Sequence, residues 1–314
     1  LAVGTYLNWL IVAKKLRRYT ERNNSITLPE FFSNRYGDGR KILTLIAAIW
    51  IVIFFVPYTA SGFAACGKLF NSLFGLDYHA AMLLSAAVII FYTAMGGFLA
   101  ASTTDFIQSI IMSAALIIVL IFGTVQAGGV GAVVDNAKSL AGYLSLTASY
   151  DVATGASKPY SLLTIVSTLA WGLGYFGMPH ILLRFMAIKD DSKLKLSRRV
   201  ASIWVVISMA VAVIIGIVGL GMSRAGAIGV LEGSRSETVI VRIANLLSTY
   251  GIFPALIAGV VLSGILASTM STSDSQLLAA SSSVSNDILI EFFHAKIDQK
   301  KVLVISRISL IAIA

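Results

Sequence analysis

The stretch Trp171-Gly-Leu-Gly-Tyr-Phe-Gly-Met-Pro179 lies inside a long apolar segment of this 314-residue sequence. Its glycines and its proline weaken an α-helix, because glycine is conformationally free and proline lacks a backbone N–H. The letters also match the dinucleotide-binding pattern G-x-G-x-x-G, but they neither follow a predicted strand nor open a βαβ unit. Irregular backbone at membrane depth is tolerated only inside protein or around a water-filled cavity. The stretch therefore predicts an interrupted membrane helix.

The composition of the whole chain is that of a membrane protein. Hydrophobic residues make up 57% of it and charged residues 12%, whereas soluble domains carry roughly 25% charged residues. A bilayer core needs about 20 apolar residues per helix. We predict an all-α polytopic membrane protein with about eight transmembrane segments, at residues 1–13, 42–70, 80–97, 106–127, 160–183, 200–222, 250–276 and 302–314.

Both ends of the sequence fall within apolar runs. We therefore expect residues 1–314 to belong to a single transmembrane domain that continues on each side. The net charge of +9 would suit either nucleic acid or an anionic membrane face. Most lysines and arginines fall in the first, fifth and last connections between the predicted segments, the last of which includes Lys296. Such clustering marks cytoplasmic loops, so we expect a lipid bilayer and no nucleic acid as partner.

Aromatic side chains accompany the predicted break. Trp171, Tyr175 and either Met178 or Pro179 fall at i, i+4 and i+7 or i+8, which puts them on one helix face. Interrupted helices are where secondary transporters expose backbone groups to solute and ion. An aromatic face beside loosened backbone suits a small amphipathic or zwitterionic solute. The alternative is ordinary packing of small residues against a neighbouring helix.

The densest polar cluster in an apolar segment lies near residue 270. Ser268, Ser271, Thr272 and Ser275 are spaced i, i+3, i+4 and i+7, which aligns four hydroxyls on one helix face. Hydroxyl and carbonyl oxygens are the ligands that a hard cation prefers, so the pattern favours a sodium site. The alternative is that the hydroxyls bond back to carbonyl groups one turn earlier.

Two carboxylates lie close to membrane segments. Asp105 is predicted to begin the fourth segment, at a depth similar to that of the hydroxyl face. An ionisable group there usually has a partner or a function, although Asp105 could instead cap the helix at the interface. Asp274 is expected nearer the cytoplasmic end, where it would be solvated or paired with a basic loop residue.

Other polar features have structural explanations. Thr27-Leu-Pro-Glu30 matches a capping box and predicts a short interfacial helix, and residues 128–159 predict an external loop with some helix. His79, His180 and His294 lack metal-ligand spacing. Since no catalytic constellation is found, the sequence does not indicate an enzyme.

Four stretches together resemble the sodium/solute symporter family, and most closely its bacterial sodium/proline symporters. They are Thr27-Leu-Pro-Glu-Phe-Phe32, Gly96-Gly-Phe-Leu-Ala-Ala-Ser-Thr-Thr-Asp105, Trp171-Gly-Leu-Gly-Tyr-Phe-Gly-Met-Pro-His-Ile-Leu-Leu-Arg-Phe185 and Met270-Ser-Thr-Ser-Asp-Ser-Gln-Leu-Leu278. The resemblance implies the LeuT-type fold, which has two inverted five-helix repeats. The sequence would hold core helices two to nine of that fold, without the broken first core helix and the tenth.

The resemblance also implies roles for individual residues. Ser271 and Thr272 match hydroxyl ligands of the family's common sodium site, Ser268 matches a position that offers its backbone carbonyl, and Asp105 matches an acidic residue linked to sodium dependence. With Ser275, these are the predicted sodium-binding residues.

Positions associated with proline recognition are matched by Tyr58, Trp171, Tyr175 and Pro179, while Met178 replaces the glutamine of the best-known proline carriers. We therefore predict sodium-coupled proline uptake by alternating access in a cell membrane, namely a bacterial inner membrane. No cofactor is implied besides sodium as the coupling ion. The alternatives are a symporter of the same family for another organic solute, and a transporter-like sensory domain.

Overall fold

The structure, a computed structural model, describes residues 1–295 and 297–314, so Lys296 lies outside the described residues. The α-helices, α1 to α12 in chain order, are Ala2–Leu7, Lys14–Arg22, Leu28–Tyr36, Ile42–Phe74, Tyr78–Gln126, Gly129–Lys138, Leu162–Gly174, Pro179–Met186, Leu194–Arg224, Val239–Ser248, Ile252–Ser282 and Gln299–Ile313. The remaining elements are π-helices at Asn8–Ala13 and Ser283–Phe292, 3-10 helices at Asp191–Lys193 and Gly233–Thr238, and the antiparallel strands β1 (Ala148–Tyr150) and β2 (Ser157–Pro159).

Among the described residues, five helical stretches are long and apolar enough to cross a membrane. They are Ile42–Phe74, Tyr78–Gln126, Leu162–Met186, Asp191–Arg224 and Ile252–Phe292. Together they account for every predicted segment except the two terminal ones. Residues 1–13 lie on α1 and the π-helix that follows it, and residues 302–314 lie on α12.

The third and fourth predicted segments are joined by a corner and not by a loop. Helix α5 continues through the predicted connection at 98–105, and Gly97 interrupts it with non-helical backbone at φ 58° and ψ −153°. Glycine adopts such a positive φ readily. The hydroxyls of Thr103 and Thr104 donate to carbonyls one turn earlier and so are satisfied within a helix. The predicted loop was wrong, and Asp105 lies inside a helix instead of at its start.

The seventh predicted segment also ends too early. Helix α11 reaches Ser282, and a π-helix extends it to Phe292, well past the predicted end at residue 276. Beyond the predicted end, Ser285 is buried and bonded. Its Oγ donates to the Ser281 carbonyl at 2.8 Å and lies 2.7 Å from Ser306 Oγ. Polar residues therefore continue this helix instead of ending it.

The chain divides into two compact units, and the first comprises residues 1–2, 109–173 and 202–265. Its apolar core includes Val119, Ile215, Met222, Ile243 and Val261. Within it Gly264 lets α11 approach α5 closely, since a Cβ at that position would meet the Ala115 Cβ at 2.6 Å. The segment 128–159, predicted as a loop with some helix, forms α6 and the β1–β2 hairpin.

The second unit comprises residues 3–108, 174–201 and 266–314. Helix α3 begins as the capping box predicted. Thr27 Oγ1 accepts from the Glu30 N–H at 3.2 Å, while Glu30 Oε2 accepts from the Ile26 N–H at 2.9 Å. The Thr27 hydroxyl also donates to Asp287 Oδ1 at 2.5 Å. Burial raises the pKa of Glu30, and the hydrogen bond from Ile26 opposes that shift.

Candidate functional site

The backbone of the second unit is broken where the sequence predicts. Helix α7 ends at Gly174 and α8 begins at Pro179, with Met178 as an extended N-cap at φ −75° and ψ 112°. The Gly177 N–H bonds to the Gly174 carbonyl at 3.1 Å in a tight turn. Proline suits the first helical position because its missing N–H would have no partner there. The prediction of an interrupted helix is confirmed.

A side chain from outside the break satisfies the carbonyl of Tyr175. The carboxamide of Asn8, in the π-helix Asn8–Ala13, donates from Nδ2 to that oxygen at 2.6 Å. On the same helix, the ring of Trp9 lies 4.4 Å from the ring of Phe185 in α8, centroid to centroid. Sequence reasoning missed both contacts, which join positions more than 160 residues apart.

The predicted solute-binding residues fall into two groups. Tyr58, Tyr175 and Pro179 belong to the second unit, whereas Trp171 belongs to the first. Tyr58 directly follows Pro57 inside α4 and is 42% exposed. Three of the four predicted solute-binding residues therefore belong to the second unit.

The four predicted hydroxyls lie on α11, and several are bonded to their own helix. Ser271 Oγ and Thr272 Oγ1 each donate to the Ser268 carbonyl at 3.2 Å, and Ser275 Oγ lies 3.0 Å from the Ser271 carbonyl. The alternative of back-bonding is thus realised. It does not exclude ion binding, because a hydroxyl that donates its proton keeps lone pairs for a cation.

Asp105 and Ser275 both form hydrogen bonds with the guanidinium of Arg184. Arg184 Nη2, on α8, donates to Asp105 Oδ2 at 2.5 Å and to Ser275 Oγ at 2.8 Å. The other carboxylate oxygen, Asp105 Oδ1, is buried without a hydrogen-bond partner among the described residues. The structure therefore brings two of the five predicted sodium-binding residues together, through an arginine whose role the sequence did not reveal.

The environment of Asp274 differs from the one predicted. It is 0% exposed, so the expectation of a solvated or loop-paired carboxylate was wrong. Tyr92 lies on α5 before the corner at Gly97, whereas Asp105 lies after it. The Tyr92 hydroxyl donates to Asp274 Oδ2 at 2.9 Å, and Ser275 Oγ lies 3.2 Å from Asp274 Oδ1. Tyr92 is remote in the sequence, and no local pattern marks it as a partner.

Close packing of α4 against α11 holds this polar region in place. A Cβ on Gly62 would overlap Ser273 Oγ, so a larger residue would displace the hydroxyl of Ser273. Beside it, Thr59 Oγ1 donates to Gln276 Oε1 at 3.4 Å. The described residues contain no group of three or more His, Cys, Asp or Glu suited to a metal ion.

Known proteins share both sequence and fold with this chain. A model described as the sodium:solute symporter family matches residues 1–314. The osmoregulated proline transporter OpuE of Bacillus subtilis is 39% identical over 315 residues, which cover 100% of this chain and 61% of that protein. The sodium/proline symporter of Staphylococcus aureus is 40% identical over 318 residues, with 100% and 59% covered. The chain thus spans less than two thirds of the length of these relatives.

One solved structure is similar over nearly the whole chain. It is described as the substrate-bound outward-open state of a Na⁺-coupled sialic acid symporter, and it matches with a TM-score of 0.79 at 16% identity. The match covers 99% of this chain and 65% of that one. At this identity the likeness concerns the fold, and the predicted LeuT-type helical fold is confirmed.

Proposed function

This chain belongs to the sodium:solute symporter family, and from that premise we propose that the protein couples sodium entry to the uptake of proline by alternating access. It is a multi-pass membrane protein, and we place it in a bacterial inner membrane. One observation carries the proposal. The short helix α8 begins at Pro179, in the predicted solute wall, and carries Arg184, which binds the predicted sodium residues Asp105 and Ser275.

The proposed sodium site consists of the Ser268 carbonyl and the side chains of Ser271, Thr272, Ser275 and Asp105. These are oxygen ligands of the kind that hard cations prefer. Both hydroxyls that donate to Ser268 O keep their lone pairs available. A sodium ion that binds Asp105 replaces or supplements the guanidinium of Arg184 there, so binding acts on α8.

The proposed solute wall consists of Tyr58, Tyr175 and Pro179, which all belong to the second unit, while Trp171 stays a predicted solute-binding residue on α7. Aromatic faces suit the apolar ring of proline, while the carbonyl and N–H groups freed at the break suit its charged groups. A membrane potential of about 100 mV supplies roughly 2.3 kcal/mol per sodium ion, and a tenfold sodium gradient adds about 1.4 kcal/mol. One sodium per proline would thus support accumulation of several hundredfold.

The test is uptake of labelled proline by the full-length protein in cells without other proline carriers. We expect uptake in sodium buffer and little in choline buffer, with unlabelled proline as the strongest competitor. Sodium-dependent uptake that another solute inhibits and proline does not would show a symporter for that solute. Proline binding without uptake would instead support the transporter-like sensory domain.

A further inference from the structure

Asn8 occupies an unusual place in its helix. The regular helix Ala2–Leu7 widens into a π-helix that begins at Asn8, and π-turns of this kind are frequent at functional sites. The side chain of Asn8 is 1% exposed although it is polar. Burying a carboxamide costs free energy of desolvation unless its hydrogen bonds compensate for that cost.

The hydrogen bond of Asn8 replaces one that the backbone cannot form. In an uninterrupted helix the Tyr175 carbonyl would accept from the N–H of residue 179. That residue is Pro179, which has no N–H. Asn8 Nδ2 supplies the missing donor at 2.6 Å. The chemistry also fixes the orientation of the amide, since only its NH₂ group can donate to a carbonyl.

The other half of the same amide has no hydrogen-bond partner in the described part of the chain. Asn8 Oδ1 is buried without a hydrogen-bond partner among the described residues, and the same is true of Thr5 Oγ1, three residues earlier on that helix. An unpaired buried acceptor destabilises a fold. A leucine of similar shape would avoid that penalty but would leave the Tyr175 carbonyl without its donor.

We propose that Asn8 is a positioning residue for solute recognition, acting through the Tyr175 carbonyl. Its amide holds the first residue after α7, and Trp9 on the same helix packs against Phe185 in α8. The helix that carries Asn8 therefore fixes both sides of the break. Because Tyr175 belongs to the proposed solute wall, loosening its backbone lowers affinity for the solute, and this inference rests on the function proposed above.

The experiment compares Asn8→Leu with Asn71→Leu in the full-length protein. Asn71 is a matched control, since its Nδ2 also donates to a backbone carbonyl, that of Leu76 at 2.7 Å, but at an exposed turn. We expect Asn8→Leu to raise the half-saturation concentration for proline about tenfold, with the maximal rate and the half-saturation concentration for sodium within about twofold of wild type. Asn71→Leu should change none of the three.

A second variant and a second measurement keep the test decisive. If Asn8→Leu does not reach the membrane, Asn8→Ala replaces it. Hydrogen exchange of the amides at residues 174–178 should be faster in either variant than in wild type. A half-saturation for proline within twofold of wild type, in a protein that transports proline, would overturn the inference. If wild type does not transport proline, the proposed function fails, and unchanged exchange at the break would then overturn the role of Asn8 separately.

Discussion

Two helical stretches are interrupted at residues of the second unit, and the two interruptions differ in chemistry. At Gly97 one residue turns the backbone and helix resumes at once. Between Gly174 and Pro179 the backbone leaves the helix for several residues. Each interruption has a carbonyl satisfied from a remote helix, by Arg307 Nε on Ala94 at 2.8 Å and by Asn8 on Tyr175 at 2.6 Å.

This difference indicates that the interruption at Gly97 is a corner and that the one between Gly174 and Pro179 is a candidate site. The bond of Arg307 is exposed at the surface of the protein, whereas Asn8 is buried in its interior. The two broken helices are also joined downstream, because Asp105 follows Gly97 and Arg184 follows Pro179, and these two form an ion pair. We therefore expect changes at the pair and at the longer break to alter transport, and changes at the corner to alter folding.

The largest expected effect lies at the ion pair. Asp105→Asn should raise the half-saturation concentration for sodium about thirtyfold, a loss of roughly 2 kcal/mol after allowance for the partial exposure of Arg184. Sodium-dependent proline uptake measures it. Asp77→Asn is the control on the same helix, since Asp77 caps α5 through the Ala80 N–H and asparagine caps equally well. An unaltered sodium requirement in Asp105→Asn would leave the carboxylate a structural partner of Arg184 only.

A smaller effect is expected at the hydroxyl face. Thr272→Ala should raise the half-saturation for sodium about tenfold, because one neutral ligand is lost. Ser263→Ala is a matched control on α11, as Ser263 Oγ likewise donates to a carbonyl one turn earlier, that of Gly259 at 2.9 Å. Equal responses of the two variants would mean that back-bonding alone explains Thr272.

Substitution of Gly97, at the corner of α5, should change the stability of the protein instead of its transport. Gly97→Ala places a Cβ on a residue at φ 58° and ψ −153°, a conformation essentially restricted to glycine, which costs roughly 1–3 kcal/mol, although no atom lies within 4 Å of that Cβ. Gly177→Ala, at the longer break, meets nothing closer than the Gly174 carbonyl at 3.9 Å and should stay within about 0.5 kcal/mol of wild type. Thermal unfolding of the purified full-length protein compares them. The reverse order would contradict the assignment of Gly97 as the strained corner.

The smallest expected effect is that of Arg307→Met. Its bond to the Ala94 carbonyl is exposed, so its loss should cost less than about 1 kcal/mol of stability and leave the half-saturation for proline unchanged. Uptake and thermal unfolding check both quantities. A drop in proline affinity as large as that expected for Asn8→Leu would erase the distinction between the two interruptions.

Local chemistry made much of this structure predictable. Glycine and proline spacing predicted the break before Pro179, the Thr27 capping box predicted the start of α3, and apolar runs predicted the membrane helices. These features depend on interactions within a few residues. The absence of an N–H at Pro179 also leaves Tyr175 without its helical partner, a signal that could have prompted a search for a donor such as Asn8.

One failure concerns hydroxyls that bond within their own helix, and the others concern partners that are distant in the sequence. Thr103 and Thr104 resembled a loop because side-chain hydroxyls satisfied inside a helix look the same in sequence as hydroxyls in a turn. Asp274 resembled a solvated residue because Tyr92 is contributed by another helix. The partner of Asp105 was hidden for the same reason. Whether the predicted sodium and solute residues bind their ligands stays a prediction.

Sodium-coupled proline uptake is tested most directly by measuring proline accumulation in proteoliposomes that contain the full-length protein, at a series of imposed sodium gradients. We predict that proline accumulation rises with the sodium gradient and reaches several hundredfold at about 100 mV and a tenfold gradient. It should disappear when sodium is equal on both sides and no potential is applied. Accumulation that does not depend on the sodium gradient, or no accumulation at any gradient, would contradict sodium-coupled proline uptake.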